Sequence, residues 1–481
     1  MQIGQKAGRA GALLFTRKVW AGILNLFVIS YLARVLDKED FGLISIAAVF
    51  TEIMNITWLG VGDFLIYKNK GKDIHIISAV FWLNFFLILL IISILIFSAP
   101  YLAYYYHNEK IKSVIYILTI GYTGIILSNV PQALLKSDFD FKPIIIAQTV
   151  TGTLSQLSQL GLAIMGFGVY SLAIPGALFP IVSGIYLLIK VKPKIKLNIE
   201  IAHWKEIIAY IRFIIGSKLL GRFAADGDSL IIGKTLGLTS LGVYNIASRF
   251  SNLLNQNLMP ILEDVSFPLF VKYNQNNSIV RKQFLYVTRL TSILLIPFYV
   301  LLILFAPLII TTLCGDKWYD AVLPLRILCM FSLVESVTYS TGILYNALGK
   351  PKIKFYFTLI FTPIFLVLVW IFSAQGLVLA CIVVTVLKMI NFVYHVYRAG
   401  RIINLTIFNF LKEIQHILIP NILLAIVYFS ILYFLHNINV KYLMMVMYMP
   451  AIYLITFRLY KKDMLKDYLL VCKVFPFIKV R

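Results

Sequence analysis

Charge is scarce in this 481-residue chain. Only 14% of its residues are Asp, Glu, Lys or Arg, where soluble domains carry about 25%. Acid is the scarcer sign, with 21 Asp and Glu against 44 Lys and Arg. The four cysteines (Cys314, Cys329, Cys381 and Cys472) stand singly, which points to neither a disulfide framework nor a zinc site. The six histidines are scattered without ligand spacing. Large polar loops are missing too. The longest connections, such as 191–206 and 398–411, run to about fifteen residues and leave no room for a soluble catalytic domain. The opening stretch MQIGQKAGRAGALLFTRKVW lacks a small-residue cleavage site after a short apolar core, so no cleavable signal is expected.

Apolar sequence fills the space these absences leave. The chain is 60% hydrophobic with a mean hydropathy of +0.87. Runs such as IISAVFWLNFFLILLIISILIF recur from end to end. A hydrocarbon core of about 30 Å is crossed by ~20 helical residues. The reading is an all-α integral membrane protein of about fourteen transmembrane helices: 11–33, 41–66, 76–97, 113–135, 143–165, 170–190, 207–234, 239–271, 283–313, 320–348, 353–373, 376–397, 412–435 and 441–459.

A net charge of +23 would suit nucleic acid, but the lysines sit in short loops between apolar spans, where basic residues set orientation. YKNKGKDIH, KVKPKIKLNIE, GKPKIK and the tail after Phe457 mark the cytoplasmic side. The opposite loops hold only Arg34, Lys38, Lys110, Lys112, Lys234, Lys317 and Lys441. Both termini are therefore expected in the cytoplasm.

One half of the chain echoes the other. RVLDKEDFGLISIAAVF (34–50) matches KTLGLTSLGVYNIASRF (234–250) at an offset of 200, with Leu36, Gly42, Ile46, Ala47 and Phe50 recurring as Leu236, Gly242, Ile246, Ala247 and Phe250. At the same offset Lys18 meets Lys218 and Asp63 meets Glu263. GFGVYSLAIP (166–175) faintly matches AQGLVLACIV (374–383). Two six-helix lobes, 1–200 and 201–400, with an extra helix pair and basic tail over 401–481, account for this. An even number of spans per lobe gives both lobes one orientation, as in parallel transporter repeats.

These stretches also carry a family resemblance. KAGRAGALLFTRKVWAGILN, ARVLDKEDFGLISIAAVF, WLGVGDFLIYKNKG, DGDSLIIGKTLGLTSLGVYNIASRF and LYNALGKPKIK together resemble the Wzx-type polysaccharide flippases of the multidrug/oligosaccharidyl-lipid/polysaccharide exporter superfamily. The resemblance spans about residues 4 to 400, and the run from Asp228 through Tyr244 to Ala247 is its most distinctive part. It implies a V-shaped pair of lobes that opens alternately to each side of the bacterial inner membrane. It also implies a cargo of oligosaccharide on polyprenyl diphosphate, and no metal or organic cofactor. A polymerase and a chain-length regulator of the same pathway are the implied protein partners.

Charges inside spans are the candidate site residues, because each costs about 2.5–3.5 kcal/mol on insertion scales and usually faces a cavity or a partner. Lys218, Arg222 and Asp226 follow at steps of four on span 7, then Asp228. Such spacing keeps the first three on one face. It suits a cavity wall that meets a diphosphate, since arginine binds phosphate through a bidentate fork and lysine as a point charge. It equally suits an internal Arg222–Asp226 pair. Asp228 reads as a residue that packs spans or lobes together.

On span 8, Asn245, Arg249, Asn252 and Gln256 draw one polar stripe, with no acid within one turn of Arg249. A polar cavity wall explains this stripe, and so does an acid supplied from another helix. The carboxamides of Asn252 and Gln256 both donate and accept, as sugar hydroxyls require. In the matching span 2, Ser45, Val49, Glu52 and Asn55 make the first lobe weakly acidic where the second is cationic. Glu52, Asp63, Asp226, Asp228 and Glu335 are the carboxyls open to proton or sodium coupling or to internal salt bridges. Lys388, with Asn391 and His395 on its face, completes the substrate-binding set, and Glu335 is open to pairing with Arg289, Arg326 or Lys388. Arg289 and Arg326 lie near span ends and read either as cavity residues or as cations reaching water. In span 5, Gln148, Gly152, Ser155 and Gln159 read either as a sugar path or as a hydrogen-bonded seam of small residues.

The expected function is a flippase that moves the repeat unit from the cytoplasmic to the periplasmic leaflet, coupled to a proton or sodium gradient, with this cargo and membrane lipids as its partners and no nucleic acid. The rivals are an exporter of the same fold for a peptidoglycan lipid precursor or a drug, and a membrane glycan polymerase or ligase. A drug cation prefers an acidic cavity, and a polymerase needs a catalytic group on a sizeable outer loop.

Overall fold

A computed structural model describes residues 2–55, 61, 64–65, 73–138, 140–196, 201–272, 276–350, 352–434, 439–455 and 458. Every element among them is helical. The order is α1 (Gln2–Val35), α2 (Lys38–Asn55), α3 (Ile74–Tyr105), α4 (Lys110–Ile120), α5 (Tyr122–Ser137), α6 (Lys142–Ile164), α7 (Tyr170–Val191), α8 (Trp204–Thr235), α9 (Gly237–Lys272), α10 (Asn277–Cys314), α11 (Val322–Thr338), α12 (Ser340–Ala347), α13 (Lys352–Ser373), α14 (Leu377–Ile403) and α15 (Ile407–Phe434), then α16 (Asn439–Ile455). Over the described residues the predicted spans fall on these helices in order; most of 56–66, and residues 435, 456–457 and 459, lie outside the described residues. Two spans are each broken into two helices, 113–135 at Gly121 and 320–348 at Tyr339.

Among the described residues, eight stretches are long and apolar enough to cross a membrane: Thr16–Val35, Ile74–Tyr105, Lys110–Ser137, Tyr170–Val191, Asn277–Cys314, Asp316–Ala347, Lys352–Ser373 and Leu377–Ile403. Large apolar side chains face outward on them, among them Phe27, Phe97, Ile189 and Ile360. Soluble monomers rarely expose such continuous apolar surface. The chain is an all-α, multi-pass membrane protein. Helices α6, α8 and α9 fall outside the eight, and they hold the polar rows read from the sequence.

The helices pack into two compact units. One comprises Met1–Asn245 with Thr362–Leu377, the other Ile246–Phe361 with Val378–Arg481. In the first, α5 packs on α7, α7 on α6, α6 on α1, and α2 on both α4 and α8. A core of Phe64, Ile76, Val80, Val130, Ile207 and Ile211 ties α3, α5 and α8 together. Lys234, near the end of α8, donates to the Tyr105 carbonyl at 2.7 Å. It thereby satisfies a carbonyl at the C-terminus of α3, the negative end of that helix.

In this unit two glycines that match at the 200-residue sequence offset meet through backbone. A Cβ on Gly42 would lie 2.0 Å from the Leu238 carbonyl oxygen, and a Cβ on Gly242 would lie 1.8 Å from that of Lys38. Residues 38 and 238 are themselves repeat mates, as are 42 and 242. The two contacts are thus reciprocal, and α2 and the start of α9 touch through backbone because both positions lack a side chain. The fainter repeat aligns Gly168 with Gly376, and both turn with positive φ, +54° and +128°.

In the second unit α10 packs on α11 and α15. Phe284, Ile296, Tyr345, Val396 and Phe410 form a core shared by α10, α12, α14 and α15. Helix α10 starts where the Asn276 side chain accepts from the Ser278 and Ile279 amides, a standard N-cap. It kinks at Phe305, whose φ of −99° and ψ of 15° leave the helical region. Pro307 causes this, since it has no N–H for the carbonyl of residue 303. Arg326 on α11 donates its Nε to that same Ile303 carbonyl at 3.0 Å. In lipid a backbone carbonyl must find a partner inside the protein. Arg326 supplies it, a role distinct from both sequence readings of this residue.

Candidate functional site

The structure gathers the predicted residues into two groups. In the first unit, Arg222 sits between two carboxylates. Its Nε lies 2.5 Å from Asp226 on the same helix, and its Nη2 lies 3.5 Å from Glu52 on α2. The i, i+4 spacing predicted the first contact; the packing of α2 on α8 makes the second. The group is open rather than sealed, with Arg222 35% and Glu52 50% exposed. Lys218 lies one turn earlier on α8 and is half-buried. A Cβ on neighbouring Gly221 would meet nothing within 4 Å, so space borders this face of α8.

Asp228 is separate from this group. It is 2% exposed, accepts from the Tyr244 hydroxyl at 2.8 Å and from the Ser229 amide at 2.7 Å. The bond to Tyr244 joins α8 to α9 across the GKTLGLTSLG turn. The two ends of the most distinctive sequence run therefore hold each other. Asp63 and the side chains of Asn55 and Glu263 lie outside the described residues.

In the second unit, a cavity of about 220 Å³ is lined by Glu335, Lys388, Asn391, His395, Lys354 and Phe331, among others. The Lys388 ammonium lies 5.5 Å from the Phe331 ring centroid, within cation–π range. Glu335 accepts from Asn255 Nδ2 on α9 at 3.0 Å. Asn255 also donates to the Ser332 carbonyl at 3.3 Å. The sequence places Lys388, Asn391 and His395 on one face and leaves Glu335 to pair with Arg289, Arg326 or Lys388; the structure has Glu335 line one cavity with Lys388, Asn391 and His395. Asn255 and Lys354 were not singled out. Asn255 stands beside Gln256 in a run rich in Asn and Gln, and Lys354 was absorbed into the orientation signal of GKPKIK.

The remaining stripe residues on α9 differ in setting. Arg249 and Asn252 are half-buried and Gln256 is exposed. Asn252 donates to Ser248 Oγ at 3.2 Å, within its own helix. On α6, Gln148 accepts from Arg17 of α1, and Thr153 accepts from Trp20 Nε1 at 3.1 Å. Gln148 thus belongs to a hydrogen-bonded α1–α6 seam, whereas a Cβ on Gly152 would meet nothing within 4 Å. Among the described residues no group of three His, Cys, Asp or Glu could hold a metal ion.

Comparison with known proteins fits this architecture. The family model described as polysaccharide biosynthesis protein matches residues 31–323. The teichuronic acid biosynthesis protein TuaB of Bacillus subtilis is 25% identical over 311 residues, 64% of this chain and 64% of its own length. The succinoglycan biosynthesis transport protein ExoT of Rhizobium meliloti is 24% identical over 70% of this chain and 68% of its own. The lipopolysaccharide biosynthesis protein WzxC of Escherichia coli is 21% identical over 76% of each. Among solved structures, the lipid II flippase MurJ in an inward closed conformation superposes with a TM-score of 0.76 at 17% identity, over 94% of this chain and all of that one. An inward-facing multidrug resistance MATE transporter reaches 0.62 at 14% identity, over 82% of this chain and 98% of that one. The fold is that of these membrane transporters. With the family model covering well over half its length, the chain belongs to the polysaccharide biosynthesis protein family.

Proposed function

We propose that this chain is a flippase for an oligosaccharide repeat unit carried on polyprenyl diphosphate. It moves the unit from the cytoplasmic to the periplasmic leaflet of a bacterial inner membrane by alternating access. Fourteen spans, cytoplasmic termini and two lobes at 1–200 and 201–400 belong to this reading, with 401–481 as an extra helix pair and tail.

The observation that carries it is the Arg222 group, a guanidinium held open between Glu52 and Asp226 on two helices. Such a pair costs less to keep in a membrane protein than a lone charge. A diphosphate outcompetes single carboxylates for the guanidinium fork because it offers more charge and more acceptor oxygens. Lys218 adds a point charge on the same face; Arg249, Asn252, Gln256 and Lys388 are the other residues this reading assigns to head group and sugars. Release follows when the lobes rock and Glu52 and Asp226 regain Arg222. Glu52, Asp226 and Glu335 are the carboxyls open to a proton or sodium ion; Asp228, buried against Tyr244, serves structure.

Complementation of a flippase-deficient strain, scored for surface glycan, tests the proposal. Rescue supports it. Failure of a stably inserted protein in hosts of several repeat-unit types overturns it. An exporter of drugs or of the peptidoglycan precursor would confer drug resistance or rescue a different deficiency. A polymerase or ligase would lengthen or transfer glycan without moving it across the bilayer.

A further inference from the structure

The cavity of the second unit has a chemistry of its own. Lys354 and Lys388 supply two ammonium groups against the one carboxylate of Glu335, which leaves a positive surplus. Asn255 fixes one Glu335 oxygen at 3.0 Å and so aims the carboxylate. The Lys354 ammonium lies 3.6 Å from where a Gly342 Cβ would stand, which places it against α12. Asn391 Oδ1 is buried and accepts no hydrogen bond among the described residues. A buried acceptor in a cavity wall calls for a donor. The Phe331 ring adds an apolar face. The volume of about 220 Å³ is large enough to admit one pyranose ring.

Resting on the flippase reading above, we propose that this cavity is a subsite for one acidic sugar of the cargo, with Glu335 as its built-in competitor. The sugar carboxylate takes Lys354 and Lys388, a hydroxyl donates to Asn391 Oδ1, and the ring lies against Phe331. Until cargo arrives, Glu335 is the carboxylate that shares the cavity with the two lysines. A phosphate group could use the same two lysines, but it has no apolar face to set against Phe331.

The test is a ligand-observed NMR titration of the full-length protein in lipid nanodiscs, with methyl glucuronide, methyl glucoside and inorganic phosphate as separate probes. The glucuronide should bind roughly tenfold or more tightly than the glucoside, the effect of one charge-assisted hydrogen bond. Lys388→Gln should cost a similar factor and Lys388→Arg much less. Glu335→Gln should tighten the glucuronide several-fold, because the competitor is gone. Asn391→Leu should weaken the glucuronide. Thermal melting of each variant in the same nanodiscs separates lost binding from lost folding. Equal binding of the two glycosides overturns the proposal. So does weaker glucuronide binding in Glu335→Gln that melts like the parent, or phosphate binding tighter than the glucuronide, which would assign the cavity to a phosphate source. Strain rescue without glucuronide binding defeats this inference alone. Glucuronide binding without rescue defeats the flippase reading instead.

Discussion

Alanine at Gly42 or Gly242 should damage the protein severely, although each change adds one methyl group. The new Cβ would stand 2.0 Å from the Leu238 carbonyl oxygen in the first case and 1.8 Å from that of Lys38 in the second. Ordinary contact begins near 3.4 Å, so α2 and α9 must part by about 1.4 or 1.6 Å. The obstacle is backbone and cannot swing away as a side-chain tip would. Overpacking usually costs about 1–3 kcal/mol, and the upper end applies here. The two contacts lie at one crossing and are reciprocal. Once the helices part for one alanine, the second finds space already made. The double variant should therefore cost clearly less than the sum of the singles, a coupling of the kind expected between touching sites. Thermal melting of purified single and double variants in detergent measures all four corners of the cycle. A single variant that melts with the parent, or strictly additive losses, would refute the reciprocal crossing.

Other consequences follow from the same contacts. Arg326→Met should cost about 1–3 kcal/mol, because the Ile303 carbonyl loses its donor; in a Pro307→Ala background, where an N–H returns to that carbonyl, the loss should shrink, and equal losses in both backgrounds would contradict the role. Tyr244→Phe removes a 2.8 Å bond to buried Asp228 and should lower stability by about 1–3 kcal/mol, read as a melting shift; Tyr244→Phe melting with the parent would oppose it. Arg222→Ala should cut surface glycan roughly tenfold or more at normal protein level, with Arg222→Lys keeping part of it; parental glycan in Arg222→Ala would remove the guanidinium from the mechanism.

The sequence reveals the fold more readily than the partners. Apolar runs and basic loops place the helices because every span must satisfy the same solvent. The repeat is legible at Gly42 and Gly242 because backbone contact leaves glycine as the only choice. Arg222–Asp226 is legible because helical geometry alone sets an i, i+4 pair. Glu52 is different: nothing in its own span announces Arg222, and only the packing of α2 on α8 joins them. The same holds for Asn255 with Glu335, Arg17 with Gln148, and Arg326 with Ile303. These contacts join residues far apart in sequence, and their residue types fit many partners. Lys354 was hidden for another reason, since a lysine beside a cytoplasmic loop already has a sufficient explanation in orientation.

The central claim is movement of a lipid-linked oligosaccharide across a bilayer. Its most direct measurement uses proteoliposomes that contain the purified chain and a polyprenyl-diphosphate oligosaccharide with a fluorophore on the sugar, bleached from outside by a membrane-impermeant reductant. Liposomes without protein, or with Arg249→Glu protein, should lose only the outer-leaflet fluorescence. Liposomes with the parent chain should lose nearly all of it. Bleaching that stops at the outer leaflet in both would contradict the account.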